Sequence, residues 1–211
     1  MMTRVYSIGG SIVRENLDRI DELAEALEGD EQVVVVTGAG DLSEHQDALK
    51  GGANNATRDL VGIRATRLNA QTLLTAMRAY PEIPETPEEI QAAAATGEDV
   101  VMGGLVPGYS TDAVAATAAE LLDAKLYVAT TVDGVYSGHP GEDSSEKLDE
   151  VTYDELLEIV GDDYEAGSYE LIDRTAVKLA ERSEIPIRIF EGTLENLENP
   201  GEAPGTAVVP E

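Results

Sequence analysis

Short apolar runs alternate along this chain with stretches whose apolar residues recur every three or four positions. Arg4-Val5-Tyr6-Ser7-Ile8 reads as a strand and ends in Gly9-Gly10-Ser11. Leu17, Ile20, Leu23, Ala24 and Leu27 follow at helical spacing, and Gly29 stops that helix. Val33 to Val36 is a continuous apolar run, the pattern of a strand covered on both faces, and it ends in Thr37-Gly38-Ala39-Gly40. From Arg58 to Tyr80 the spacing predicts one long helix with Leu60, Ile63, Ala70, Leu74 and Met77 on one side. Thr86-Pro87-Glu88-Glu89 opens another helix with proline at its first position and a capping box, and Gly97 closes it. Asp99 to Met102 is a buried strand, followed by the loop Gly103-Gly104-Leu105-Val106-Pro107-Gly108-Tyr109 and a helix running to Leu122. Ser110 or Thr111 caps that helix, and Asp112 falls in its first turn, where the dipole favours a negative group. Leu126 to Ala129 is the next strand and leads into Thr130-Thr131 and Val132-Asp133-Gly134-Val135-Tyr136. Thr152-Tyr153-Asp154-Glu155 is a second capping box. A helix from about Asp173 to Ser183, a strand Pro186 to Phe190 and a last strand Thr206 to Val209 complete the chain. This alternation implies an α/β fold with a largely parallel sheet.

At 211 residues with 42% hydrophobic content, the chain can bury a full core as one domain or two tightly joined lobes. The polar loop 138–145 is the best internal boundary. No apolar run approaches the ~20 residues that span a bilayer, and no secretory signal is seen, so neither a membrane nor export is expected. There is no cysteine, which excludes disulfides and thiolate metal sites and fits a cytoplasmic setting. Asp and Glu number 42 against 14 Lys and Arg, a formal charge of -28. The acids are spread over nearly every predicted helix and loop. A surface this charged repels itself, and molar salt relieves it by shortening the Debye length to about 3 Å. The expectation is a halophile's cytoplasmic protein. Nucleic acid is not an expected partner, because phosphate contacts need clustered Lys and Arg.

Ligands of parallel sheets gather at the carboxyl ends of the strands. Four predicted strand ends carry small or polar residues: Gly9-Gly10-Ser11, Gly38-Ala39-Gly40, Gly103-Gly104 and Thr130-Thr131. Together they suggest one shared polyphosphate site. Gly38-x-Gly40-x-x-Ser43 approaches the dinucleotide fingerprint but has serine in its third place and leads toward a helix where an acid on a second strand is required. No Gly-Lys-Ser/Thr follows any of these loops, so a Walker A site is absent.

Met102-Gly103-Gly104, Pro107-Gly108-x-Ser110-Thr111-Asp112-Ala113-Val114-Ala115 and Val132-Asp133-Gly134-Val135-Tyr136 resemble the amino-acid kinase superfamily, specifically the archaeal type of uridylate kinase. Arg58-Asp59-x-x-Gly62-Ile63-x-Ala65-Thr66-Arg67-x-Asn69-Ala70 and Ala166-Gly167-Ser168-x-x-x-Ile172-Asp173 add to the likeness, which covers essentially the whole chain. The resemblance implies a three-layer α/β/α sandwich and transfer of the γ-phosphoryl of MgATP to UMP, giving UDP and ADP, by a homohexamer. It places the acceptor lobe mainly in residues 1–124 and the ATP lobe mainly in 125–211. It implies donor contacts at Gly9, Gly10, Ser11, Gly40, Glu44, Thr130, Thr131, Tyr136 and His139. Acceptor contacts fall at Ala39, Asp59, Leu105, Val106, Pro107, Gly108, Tyr109, Ser110 and Thr111. Asp112 is the expected organiser of the donors around the reaction centre, with Gly10 and Lys178 as further catalytic candidates. Mg²⁺ bridges phosphates in such a reaction, and no dedicated protein metal site is expected.

Simpler readings stand beside these. Asp112 serves the helix dipole alone, a role worth about 0.3–1 kcal/mol. Thr130-Thr131 ends a strand, Tyr136 fills a core, and Lys178 covers its helix. Arg58, Arg64 and Arg67 are surface charges, or else touch the acceptor phosphate or a second subunit. The chain also departs from the family pattern. Ser7 stands where many members carry lysine, and Glu44, followed by His45, stands where a basic residue is usual. His139 replaces an acid before proline, and the acceptor loop has Leu105, Val106 and Tyr109 where Thr, His and His are frequent. These departures keep open a regulatory protein that binds nucleotide without transferring phosphate, and another small phosphate or carboxylate kinase of the superfamily.

Overall fold

The four consecutive valines 33–36 are all fully buried because helices cover their strand on both faces. The structure, a computed structural model, describes residues 3–138, 145–161 and 171–210. In chain order the elements are β1 (Thr3–Ile8), α1 (Gly10–Glu15), α2 (Ile20–Leu27), β2 (Gln32–Thr37), α3 (Glu44–Asp47) and α4 (Asn55–Leu74). Then come α5 (Pro87–Ala94), β3 (Val100–Met102), α6 (Thr111–Leu122), β4 (Lys125–Thr130), β5 (Val135–Tyr136), β6 (Lys147–Leu148) and β7 (Glu150–Thr152). The last are α7 (Tyr153–Val160), α8 (Arg174–Arg182), β8 (Ile187–Glu191), α9 (Leu194–Glu198) and β9 (Gly205–Val209).

Seven strands form one sheet in the order β3-β2-β1-β4-β8-β9-β7. The pairs β3-β2, β2-β1, β1-β4 and β4-β8 are parallel, and β9 runs antiparallel to β8. Side chains alternate between the faces. Val5, Val34, Val36, Val100, Met102, Leu126 and Val128 pack with α5, α6, α7 and α8. Tyr6, Ile8, Val33, Val35, Val101, Tyr127 and Ala129 pack with α1, α2, α4 and α9. This is the expected three-layer sandwich with a largely parallel sheet. Burial pushes the Tyr6 phenol up to about 12, against the opposing pull of Arg4.

The side on which successive strands are added switches at β1. From β1 the order proceeds outward to β2 and β3, then returns to add β4 and β8 on its other side. The loop after β1 therefore opens at the switch point, where a crevice forms above the sheet. α6 lies under that crevice. Ala113, Ala115, Ala116, Ala118 and Ala119 are fully buried, and their small side chains let it lie close to both the sheet and α8.

Several sequence expectations need correction. The apolar repeat from Leu17 to Leu27 is not one helix: residues 17–19 form a 3-10 turn, Leu17 is exposed, and α2 starts at Ile20. The long helix runs from Asn55 to Leu74, begun by the Asn54 side chain accepting from Thr57 N–H, and Met77 and Tyr80 lie beyond it. Leu60 is on its outer side and is 46% exposed. Thr86 caps α5, but the Glu89 carboxylate accepts from Glu85 N–H, not from Thr86 N–H. The second capping box, Thr152 with Glu155, is complete.

Candidate active site

The parallel register brings the four strand ends to one edge of the sheet: Ile8 lies beside Thr37 and Ala129, and Val36 beside Met102. The loops beyond them are in direct contact. Gly38 N–H donates to Ile8 O at 2.8 Å, and Gly9 N–H to Ala129 O at 3.2 Å. A Cβ on Gly10 would lie 2.2 Å from Gly40 N and 2.4 Å from Ala39 C, so only glycine lets these two loops meet. Gly40 has φ +56 and faces the Gly10 carbonyl carbon, as close an approach from the other side. An Arg14–Asp41 ion pair adds a second link between the segments that follow them.

α4 holds two of these loops. Thr66 Oγ1 accepts from Gly104 N–H at 2.7 Å and donates to Ile63 O. The Asn69 amide donates to Gly38 O at 2.7 Å and to Ala39 O at 3.2 Å. Asp59 uses both carboxylate oxygens: one accepts from Gln46 Nε2 at 3.1 Å, the other from Gly108 N–H at 2.9 Å. Arg67 Nε donates to Gly104 O.

Between α3, α4 and the loop before α6 lies a cavity of about 670 Å³. Ala39, Asp59, Gly108, Tyr109, Ser110 and Thr111 from the sequence reading line it. So does Arg58, one of the three arginines offered as acceptor-phosphate contacts, and so do Gln46, Thr66 and Asp173, to which that reading gave no role. The arginine is held by Gln46 O at 3.2 Å and Asn55 Oδ1 at 3.3 Å, with the Asp47 carboxylate 3.6 Å away. Lys50 beside Asp47 holds that carboxyl below its usual range.

Asp112 sits where β1, α6 and α8 meet. Its Oδ1 accepts from the buried Ser7 hydroxyl at 2.6 Å, and its Oδ2 from Asp173 N–H at 3.3 Å. Ser110 is the N-cap of α6: its hydroxyl accepts from Ala113 N–H at 3.0 Å and donates to Asp173 Oδ2 at 2.7 Å. Asp173 in turn caps α8 through Thr175 N–H. The amino ends of α6 and α8 are thus cross-linked beside the cavity, and both dipoles favour an anion there. Ser7, which stands at a lysine position of the resembled family, is spent on Asp112.

Beyond β4, Thr130 accepts from Gly192 N–H through its carbonyl, and Thr131 is exposed. The Tyr136 hydroxyl donates to Asp133 at 2.8 Å, and Lys147 Nζ binds the other oxygen of that carboxylate at 3.0 Å. Lys147, and then Tyr136, hold the Asp133 carboxyl below its usual range. Leu105 is half-buried, while Val106 and Pro107 are exposed on the loop above. Glu44 is exposed at the start of α3. Lys178 is exposed on the outer face of α8, lining a separate surface cavity with Arg174 and Arg182. His139 and the Gly167-Ser168 pair lie outside the described residues. Among the described residues no three acid or histidine side chains group as metal ligands, and no helix is long and apolar enough to cross a membrane.

Comparison with known proteins fits this geometry. The family model described as "Amino acid kinase family" matches residues 2–191. The chain belongs to the amino acid kinase family. Within this family it is 46% identical over 204 residues to a uridylate kinase of Methanococcoides burtonii, covering 91% of this chain and 87% of that protein. The crystal structure of uridylate kinase from Archaeoglobus fulgidus superposes with a TM-score of 0.89 at 38% identity, covering 99% of this chain and all of that one. A UMP kinase structure from Bacillus anthracis, at 18% identity and a TM-score of 0.77, shares the fold.

Proposed function

We propose that this chain is a uridylate kinase that transfers the γ-phosphoryl of ATP to UMP, giving UDP and ADP. The observation that carries this reading is the edge of four strand ends flanked by a cavity of nucleotide size, in a chain 46% identical to a uridylate kinase. UMP occupies the cavity, with its ribose toward Asp59 and its phosphate toward the amino end of α6. ATP lies along Gly9, Gly10, Ser11 and Gly40, with its nucleoside toward Thr130, Thr131 and Tyr136. Residues 1–124 supply most of the acceptor side and 125–211 most of the donor side.

Phosphoryl transfer asks the protein mainly for alignment and charge neutralisation. Backbone N–H groups of the glycine loops and the two cross-linked helix ends supply these here. Asp112 fixes the relative position of β1, α6 and α8 through its two acceptor oxygens. Mg²⁺, carried on the nucleotide phosphates, would neutralise their charge. Asp173, which lines the cavity, and Asp112, hydrogen-bonded to it, are the carboxylates nearest the place such a complex would occupy. We read the acid excess as a sign of a halophile's cytoplasm, and the likeness to uridylate kinases as implying a homohexamer.

The test is product analysis in molar KCl with Mg²⁺ and a panel of nucleoside monophosphates. UDP and ADP are expected from UMP and ATP. Ser7 and Glu44 in place of basic residues favour one rival, a nucleotide-binding regulator. UMP and ATP binding by calorimetry with no ADP formed would establish that rival.

A further inference from the structure

Asn69 lies on the inner face of α4, 9% exposed, with its side-chain amide against the loop after β2. Both of its partners there are carbonyl oxygens, Gly38 O at 2.7 Å and Ala39 O at 3.2 Å. Only the NH₂ group of the amide can satisfy two carbonyls, so the side-chain orientation is fixed by its neighbours. These carbonyls belong to the two peptide units whose nitrogens are those of Ala39 and Gly40. In a planar trans peptide the C=O and N–H point in opposite directions. Drawing both carbonyls toward α4 therefore turns both N–H groups away from it. Neither N–H donates to a protein acceptor among the described residues. Gly38 N–H, tied to Ile8 O, anchors the start of the loop, and Gly10 packs against Gly40, so the two units are held on three sides.

We propose that Asn69 is a positioning residue that aims the N–H groups of Ala39 and Gly40 at the phosphoryl group in transit. The proposal rests on the kinase reading above. It also accounts for how a chain with Ser7 and Glu44 at two customary basic positions supplies donors to that group. The donors are backbone dipoles, set before substrate arrives, and such donors count most where charge develops. α4 then carries both halves of the reaction. Asp59 and Thr66 hold the acceptor loop through Gly108 and Gly104. Asn69, one turn further on, holds the phosphate loop.

The test compares Asn69→Asp and Asn69→Ala with the wild type in molar KCl. At pH 8 the aspartate carboxylate repels both carbonyls, and kcat is expected to fall about a hundredfold or more. Asn69→Ala is expected to fall about tenfold, with KM for UMP changed less than about twofold, the mark of an interaction made in the transition state. Asn69→Asp should regain activity relative to wild type as pH falls and its carboxyl becomes a donor. Wild-type kcat in both variants, or a loss confined to KM, overturns the proposal. If either variant fails to fold by circular dichroism, the unaltered protein decides. The ¹⁵N–¹H resonances of Ala39 and Gly40 should move strongly downfield when UMP and a non-hydrolysable ATP analogue bind together. Unmoved resonances overturn the assignment of Asn69. A wild type that forms no UDP overturns the kinase reading instead.

Discussion

Asp112→Asn is expected to lower turnover by about 10²- to 10³-fold, the loss typical of disrupting a preorganised donor arrangement. The carboxylate accepts on both oxygens, from Ser7 Oγ and from Asp173 N–H. Asparagine offers one acceptor oxygen. Whichever way its amide turns, an NH₂ group faces one of these donors. If it faces Asp173 N–H, two donors meet and the amino end of α8 is pushed away. If it faces Ser7, the hydroxyl must rotate to accept and the tie to β1 is remade. Either outcome shifts elements that border the transfer centre, and a misplacement of 1 Å costs about a hundredfold. The accompanying loss of stability is about 1–3 kcal/mol, the cost of a frustrated polar group in a partly buried place. A residue that only served the helix dipole would lose about 0.3–1 kcal/mol and keep its turnover. Urea melts and kcat measured on the same preparation separate the two roles.

Gly10→Ala should be nearly as damaging, for a steric reason. Its Cβ would sit 2.2 Å from Gly40 N, 2.4 Å from Ala39 C and 2.6 Å from Gly38 O. All three are backbone atoms of one loop, with no flexible side chain to give way. The two phosphate loops must separate, and the Arg14–Asp41 pair and the Gly38-to-Ile8 hydrogen bond are strained with them. Overpacking of this kind costs about 1–3 kcal/mol, and the displaced loop should reduce turnover about a hundredfold. Gly201→Ala, where a Cβ meets nothing within 4 Å, is the matched control and should melt and turn over like wild type. Equal melting temperature and kcat for Gly10→Ala would show that the loops do not need their close contact.

What was legible in the sequence follows from what is local. Val33 to Val36, Val100 to Met102 and Leu126 to Ala129 are runs that only a buried strand explains, and glycines mark where they stop. Their convergence could be expected because parallel strands put all their carboxyl ends on one edge. α4 was harder to read because its pattern is partly inverted. Thr66 and Asn69 face inward to hold two loops, while Leu60 and Leu68 face outward. A reading that sends leucine to the core and polar residues to solvent misplaces such a helix. Its end at Leu74 carries no glycine or proline, so the apolar spacing runs on through Met77 where the chain has already turned. The short β5–β6 hairpin pairs Val135 with Leu148 across a polar stretch, and no local signal announces it. Arg58 stood out as one of three arginines in ten residues, but Gln46 joined the cavity only because α3 folds back on α4, a contact that spacing does not encode.

The most direct test of two nucleotides held end to end is a crystal structure with a bisubstrate ligand, uridine and adenosine joined through five phosphates. The account predicts uridine in the cavity between Asp59 and Tyr109, phosphates along Gly9-Gly10 and Ala39-Gly40, and adenosine toward Thr130 and Tyr136. Uridine bound outside that cavity, or phosphates lying over Lys178 on the outer face of α8, would contradict it.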